Sequence, residues 1–433
     1  MQAVRTREEQ RPDVIDASPA SARSWSPEAE IGMRVEDIWD SLDAAQGGQL
    51  DKLNSCFDSI PVASFPHTFA GAQLVEIPSD ATLAEAVDIL SRNRIISAPV
   101  RNVDAPEDAS WIDRYIGIVE FAGIAVWLLH KSEAAATKAE VSADELAAKL
   151  GTITLESAAV AAATAVRDSK TVESDGAMAE VLGALPSSDL FNKTKVQDIS
   201  GSFRWAPFLA LQRSDTFLTM LLLLSKYRMK SLPVVDIGEG TISNIVTQAA
   251  VLHMLAECVG LHWFEEWGTK TLSEIGLPIM RLSKIVKIRE DEPALKAFRL
   301  MRRKGVGGIP VVDETGKAIG SIMIKDVKHL LTASDANRDY RTQTAKDFIA
   351  NVRQSSGERQ MTIITCSRSD TVKDIILKLD AEKRQRIYVI NDEGNLDGLI
   401  TLRDIIAKLV YEPPGYFGDF FNGVIPLPQS SRV

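Results

Sequence analysis

The sequence predicts an α/β fold made of four tandem strand–helix–strand–strand–helix (β-α-β-β-α) units. Three observations carry that reading. A strand centred on proline, or on its replacement, recurs as Ser97-Ala-Pro99-Val100, Ser231-Leu-Pro233-Val-Val-Asp236, Gly308-Ile-Pro310-Val-Val-Asp313 and Arg386-Ile-Tyr388-Val-Ile-Asn391. Each copy follows an amphipathic helical stretch and precedes a second strand and a second helix. The spacing is nearly constant: Pro233 and Pro310 are 77 residues apart, and Pro310 and Tyr388 are 78. The first gap, from Pro99 to Pro233, shortens to about the same length once an Ala-rich segment over 132–186 is set aside. A unit that buries one face needs neighbours to complete its core, so function is to be sought in the clefts between units.

The elements follow in order. Residues 1–30 lack periodicity and read as a disordered tail. Residues 31–73 form an N-terminal segment with an amphipathic helix around Val35–Leu42. The first unit, 74–131, has a strand at Leu74–Ile77 and a helix-start signal at Pro78-Ser-Asp80, with Leu83, Ala86, Val87 and Leu90 then at helical spacing. A polar loop over Arg101–Asp113, a strand at Tyr115–Val119 and a helix at Phe121–Leu129 complete it. Residues 132–186 carry Ala, Thr, Ser, Glu and Lys with almost no aromatics, which reads as a linker.

The second unit (205–258) runs through Phe208–Leu211, Phe217–Tyr227, Pro233–Val235, Ile242–Val246 and Ala249–Cys258. The third (283–332) runs through Ile285–Ile288, Ala294–Arg303, Pro310–Val312, Ala318–Met323 and Asp326–Leu331. The fourth (361–411) runs through Thr362–Thr365, Val372–Glu382, Ile387–Ile390, Leu396–Thr401 and Asp404–Val410, and 412–433 is a C-terminal tail. Asp313-Glu-Thr-Gly316 and Asp392-Glu-Gly394-Asn supply turn chemistry between adjacent strands.

Composition narrows the function classes. The formal net charge is −10, which disfavours nucleic acid as a partner of the chain as a whole. Cys56, Cys258 and Cys366 are far apart without metal-ligand spacing, as expected in a reducing cytoplasmic compartment, with the nucleus as a second location. The apolar stretches Phe121–Leu129 and Phe217–Leu224 fall short of the roughly 20 residues of a spanning helix, so no transmembrane segment is expected. The N-terminus is polar and carries Glu8, Glu9 and Asp13, unlike a signal peptide. No catalytic motif appears among the five histidines (His67, His130, His253, His262 and His329) or elsewhere. His253 and His262, near apolar helix, read as packed side chains.

The unit with its proline-marked strand resembles the CBS (cystathionine-beta-synthase) domain. Such domains pair into Bateman modules, so four imply two modules forming a disk. Gly32-Met-Arg-Val-Glu-Asp-Ile-Trp39, Val103–Glu120, Phe203-Arg-Trp-Ala-Pro-Phe-Leu-Ala-Leu211, Thr271-Leu-Ser-Glu-Ile-Gly-Leu-Pro-Ile-Met280 and Tyr416-Phe-Gly-Asp-Phe-Phe421 extend the likeness. Together they resemble the gamma regulatory subunits of AMP-activated and sucrose-non-fermenting-related protein kinases, the plant type above all. That resemblance implies a non-catalytic subunit in energy and carbohydrate-metabolism signalling. Its partners would be a kinase catalytic alpha subunit and a scaffold beta subunit, docked in part by the 31–73 segment. AMP, ADP or ATP would be regulatory ligands in the clefts, with no cofactor required. The alternative is a stand-alone adenylate sensor acting on another enzyme or a transporter.

The resemblance also points to residues. The ribose aspartate of the family lies six residues after the glycine of the third strand, which gives Asp326 after Gly320 and Asp404 after Gly398. The first and second repeats carry Gly123 and Ala250 there. Thr401 supplies the neighbouring hydroxyl, and Thr247 joins it as a candidate in the second repeat. A carboxylate suits a ribose diol because it accepts from both hydroxyls. A second reading of Asp326 and Asp404 is the preference of helix first turns for acids. Cations before the proline-centred strand would hold phosphate, which selects Lys230 (with Ser231) and Arg386. Arg94, Arg228, Lys304 and Arg384 are either helpers or solvated charges. Gly305, Gly307 and Gly308 fail the Walker pattern and read as a tight helix-to-strand connection, with backbone approach to a ligand at Gly308 as the second reading.

Overall fold

Four three-stranded sheets with the same topology organise the chain. The structure is a computed structural model that describes residues 25–42, 48–67, 74–93, 95, 97–106, 109–121, 123, 124, 127, 131, 189–200, 208–238, 240–280, 282–327, 343–356 and 363–422. The strands are β1 (Ile77–Pro78), β2 (Ser97–Arg101) and β3 (Tyr115–Glu120) in the first repeat, and β4 (Leu211–Gln212), β5 (Ser231–Asp236) and β6 (Thr241–Thr247) in the second. The third has β7 (Ile288–Arg289), β8 (Gly308–Val312) and β9 (Ala318–Met323), and the fourth β10 (Thr365–Cys366), β11 (Arg386–Ile390) and β12 (Leu396–Thr401). In each sheet the motif strand is central, parallel to the short first strand and antiparallel to the third. Each β-bulge falls at the same place, after Val100, Val234, Val311 and Val389.

The first helices of the repeats, Leu83–Arg92, Phe217–Ser225, Ala294–Lys304 and Val372–Ala381, begin where sequence says they should. Thr82 and Glu85 form a capping box, as do Thr371 and Asp374, while Thr216 accepts from the Thr219 amide. Each such cap contributes about 1 kcal/mol. The first strands start about three residues later than the apolar runs suggest. Only two residues in each pair with the central strand; Leu209, Ala210 and Ile285 are buried ahead of them, outside any strand. The expected loop Arg101–Asp113 yields Arg101 to β2 and ends in a short helix, Trp111–Arg114. After β3, Phe121, Gly123, Ile124 and Trp127 are helical. The rest of that helix, residues 1–24 of the expected tail, the 132–186 linker, the third repeat beyond Val327 and residues 423–433 lie outside the described residues.

The lead-in segment of every repeat docks on the other repeat of its pair. Val62 and Ala63 donate to Asp215 and Arg213 of the second repeat, and the Val196 and Gln197 amides donate to Ala81 and Ser79 of the first. Leu272 and Ser273 donate to Asp370 and Arg368 of the fourth, and Ala345 and Lys346 donate to Glu292 and Glu290 of the third. Backbone hydrogen bonds thus stitch repeat 1 to 2 and 3 to 4 reciprocally.

The helices close the ring the other way. One apolar core joins the second and fourth repeats through Leu221, Leu255, Ile376 and Ile406; another joins the first and third through Leu83, Leu90, Phe298 and Ile309. Between the sheets of the third and fourth repeats, Ile285, Tyr388, Leu396 and Leu399 form a small third core. Contacts therefore run 1–2–4–3 and back to 1, as in two paired modules forming a disk.

Both ends of the chain differ from expectation. The tail assigned to 1–30 gives way to a helix at Pro27–Ser41, because Ser26 caps it through the Ala29 amide and Pro27 opens it with acids in the first turn. Ile31, Val35 and Trp39 are buried, as are Leu53 and Phe57 on the helix Gln49–Asp58. Glu36 accepts from the His262 and Trp263 amides at 2.7 and 3.0 Å and so caps the helix His262–Gly268. At the other end Phe417 is buried against Tyr227, and the Tyr416 hydroxyl lies 2.9 Å from Thr219 Oγ1, so part of the 412–433 tail is core.

Candidate ligand site between the third and fourth repeats

The strand register places the candidate residues before any side chain is considered. Arg386 opens β11 opposite Thr401, and Gly308 opens β8 opposite Met323. Asp404 and Asp326 each follow three residues after those strand ends. The two corners are joined directly: Arg386 Nη1 donates to the Gly308 carbonyl at 2.8 Å. Gly308, Asp326, Arg386, Thr401 and Asp404 therefore gather at one junction.

Each carboxylate has a local job. Asp404 Oδ2 accepts from the Thr401 amide at 2.9 Å and from its hydroxyl at 2.7 Å, capping the helix Leu402–Leu409. Its other oxygen lies 3.8 Å from Arg403 Nη2. Asp326 is 4% exposed, and Oδ2 accepts the Met323 amide at 2.7 Å at the start of the 3-10 turn Ile324–Val327. A carboxylate offers about four acceptor sites, so Asp404 Oδ1 keeps lone pairs for further donors.

Arg386 carries the charge. Its guanidinium has five N–H groups in a fixed fork, and Nη1 serves the Gly308 carbonyl. A Cβ at Gly308 would sit 2.9 Å from Arg386 Nη1 and 2.5 Å from Met323 Sδ, so a side chain there would push the guanidinium and the thioether out of their present positions. Tyr388 lies two residues on, hence on the same strand face. It is wholly buried, and burial pushes its hydroxyl titration up. Among the described residues, neither Arg386 Nε nor the Tyr388 hydroxyl has a partner of hydrogen-bonding geometry. The remaining N–H groups of the Arg386 fork and the open Asp404 oxygen suit an oxyanion attached to a diol.

The remaining candidates sit at the junction of the first two repeats. Ser231 opens β5 opposite Thr247, which caps the helix Gln248–Glu257 by accepting the Ala250 amide at 3.1 Å. Lys230 is ion-paired across the junction with Glu120, the last residue of β3. Arg114 reaches the Gly240 carbonyl, and Tyr115 stacks on Phe208 at 4.5 Å. Glu120 and Tyr388 stand at these two junctions, and sequence reasoning passed over both as candidates. Aligning the four strand ends (Glu120, Thr247, Met323 and Thr401) would have flagged the first.

Other expectations resolve at the surface. Gly305 has φ +64°, which fits the tight connection read from its sequence. Arg228 also adopts a positive φ, 58°. His262 is exposed beside Asp40 and Glu266 rather than packed, because its helix presents Trp263, Phe264 and Trp267 to the core instead. His253 Nδ1 lies 3.0 Å from Asp380 Oδ2 across the second–fourth repeat interface. Among the described residues no His, Cys, Asp and Glu cluster is arranged to hold a metal, and no helix is long and apolar enough to cross a membrane.

Comparison with known proteins gives the same architecture an identity. The CBS domain model matches residues 277–333 and 360–411. SNF1-related protein kinase regulatory subunit gamma-1 of Arabidopsis thaliana is 54% identical over 422 residues, spanning 94% of this chain and 95% of that protein. Its gamma-1-like relative in the same plant is 37% identical over 85% of this chain and 89% of its own length. The gamma-3 subunit of 5'-AMP-activated protein kinase from Sus scrofa is 25% identical over half of this chain and 40% of that protein. The chain belongs to the CBS-domain family of SNF1-related protein kinase gamma regulatory subunits.

Proposed function

We propose that this protein is the non-catalytic gamma subunit of a heterotrimeric Ser/Thr kinase of the SNF1-related type, acting in the cytoplasm and nucleus. It joins a catalytic alpha subunit and a scaffold beta subunit. The observation that carries the reading is the 54% identity, over 94% of this chain, with a plant subunit of that name. The test is co-expression with plant alpha and beta subunits, followed by affinity capture through beta. A stable ternary complex is expected; a chain that elutes alone under conditions where the Arabidopsis gamma-1 protein is retained would refute the assignment.

Within that role, the third–fourth junction takes an adenine nucleotide: AMP, ADP or ATP. Arg386 holds phosphate and Asp404 accepts from the ribose, with Thr401 and Gly308 setting their geometry and Asp326 on the facing repeat. The support is that strand register sets Arg386 beside Thr401 and Gly308 beside Met323, and that one cross-repeat hydrogen bond, from Arg386 to the Gly308 carbonyl, joins the two corners. Calorimetric titration of the full chain with AMP checks it. Loss of the binding heat in Arg386→Met is the expected result, and identical isotherms for the two proteins would exclude the site. A stand-alone sensor acting on another client remains the second reading, favoured if the chain binds AMP tightly but neither kinase subunit.

A further inference from the structure

The two modules present the same corner with a different partner for the cation that crosses it. In the second module, Arg386 of the even-numbered repeat reaches the first residue of the odd repeat's central strand, Gly308, and meets a neutral carbonyl. Lys230 in the first module also comes from the even repeat, one residue before Ser231, the register counterpart of Arg386. It crosses to the equivalent corner of the odd repeat and there meets a carboxylate. Glu120 pairs with Ser97 as Met323 pairs with Gly308, so it occupies the strand end held by Thr or Met in the other three repeats. Its side chain is 12% exposed against 50% for Lys230, so the carboxylate is the more fixed partner.

We infer that Glu120 silences the first module as an oxyanion site by standing where the anion of a ligand would meet Lys230. The inference rests on the reading that oxyanions are what these corners bind. Its chemistry is simple. A cation already neutralised by a nearby carboxylate gains little from a phosphate, and an incoming dianion faces Glu120 itself. Ser231 and Thr247 leave hydroxyl donors at the same junction, since Thr247 uses its oxygen as an acceptor for the Ala250 amide and keeps its own O–H to give. With Gly123 and Ala250 in place of the two ribose acids, the awakened corner would read a phosphoryl group alone, not a nucleoside.

The experiment uses the full chain in an Arg386→Met background, which removes the second-module donor, with inorganic pyrophosphate as probe in isothermal titration. Glu120→Gln keeps the side-chain shape and removes the charge; Glu120→Thr copies the residue at the fourth repeat. Both are expected to bind pyrophosphate at least tenfold more tightly than the background, and Lys230→Met added to either is expected to erase the gain. AMP is expected to bind the awakened corner no more tightly than pyrophosphate. If neither Glu120 variant gains affinity while its near-ultraviolet circular dichroism is unchanged, the inference is overturned. A gain that survives Lys230→Met overturns it equally. Failure of the nucleotide reading shows elsewhere, as equal AMP affinity of wild type and Arg386→Met, and does not alter the Glu120 comparison.

Discussion

Replacing Asp404 separates the two jobs of one carboxylate. Asp404 Oδ2 takes the amide and hydroxyl of Thr401 at 2.9 and 2.7 Å, and the side chain is 13% exposed. Asp404→Ala removes that capping box, at a cost of about 1 kcal/mol, and removes an acid from a helix N-terminus, which adds about 0.5 kcal/mol. At about 2–4 °C per kcal/mol for a large domain, the melting temperature falls by roughly 3–6 °C. The ligand effect is separate. A charge-assisted ribose contact is worth about 1.5–3 kcal/mol, so AMP affinity falls roughly ten- to hundredfold. Asp404→Asn keeps an oxygen for Thr401 and loses the charge, so most of the melting temperature returns while AMP binding stays weak. Differential scanning calorimetry and AMP titration on the same three proteins decide the matter. Lower melting of Asp404→Ala with AMP affinity equal to wild type would show that the carboxylate is a cap and reads no ribose.

Three further outcomes follow from the fold. Gly32→Ala would place a Cβ 2.6 Å from Cys258 Sγ and 2.7 Å from Leu261 Cδ1, an overpacking worth about 1–3 kcal/mol that lowers the denaturant midpoint and exposes Trp263 fluorescence to water. All three thiols are buried, with Cys56 pushed up to about 11 and Cys366 to about 12 by burial; an aromatic disulfide reagent at pH 8 is expected to label none until urea unfolds the chain. Glu85, held below the usual range by the Thr82 amide, and Glu265, held there by Lys373, have folded pKa values beneath their unfolded ones. Their stability is therefore fully present above the unfolded value of about 4.3 and is lost as pH falls through the folded one. The urea midpoint should hold from pH 7 to about 5 and drop below that, and less steeply in Glu85→Gln.

The four repeats were legible because each central strand is apolar on a fixed period and three of the first helices announce themselves with a threonine cap, at Thr82, Thr216 and Thr371. First-strand bounds slipped because Leu209, Ala210 and Ile285 are buried without ladder partners, and burial without pairing looks the same in sequence. The start at Pro27 was readable: Ser26, Pro27 and Glu28 form a helix-opening signal that the surrounding polar run obscured. Asp326, Asp404 and Arg386 were picked as candidates because the repeat frame fixes their offsets, and the structure brings Asp404 and Arg386 to adjacent strand ends. The Lys230–Glu120 pair was not, because the partners are 110 residues apart and nothing local to either names the other. The Gly308 carbonyl was equally silent, since a backbone acceptor leaves no trace in residue type.

The reciprocal lead-ins have a consequence for how the molecule comes apart. A single chain break between the first and second repeats would release neither, since residues 60–63 remain laced to 213–217 and residues 194–197 to 79–83. The same holds for a cut between the third and fourth. Loss of one quarter would strand the lead-in that its twin needs, so the smallest piece that can detach with all its strands satisfied is a half.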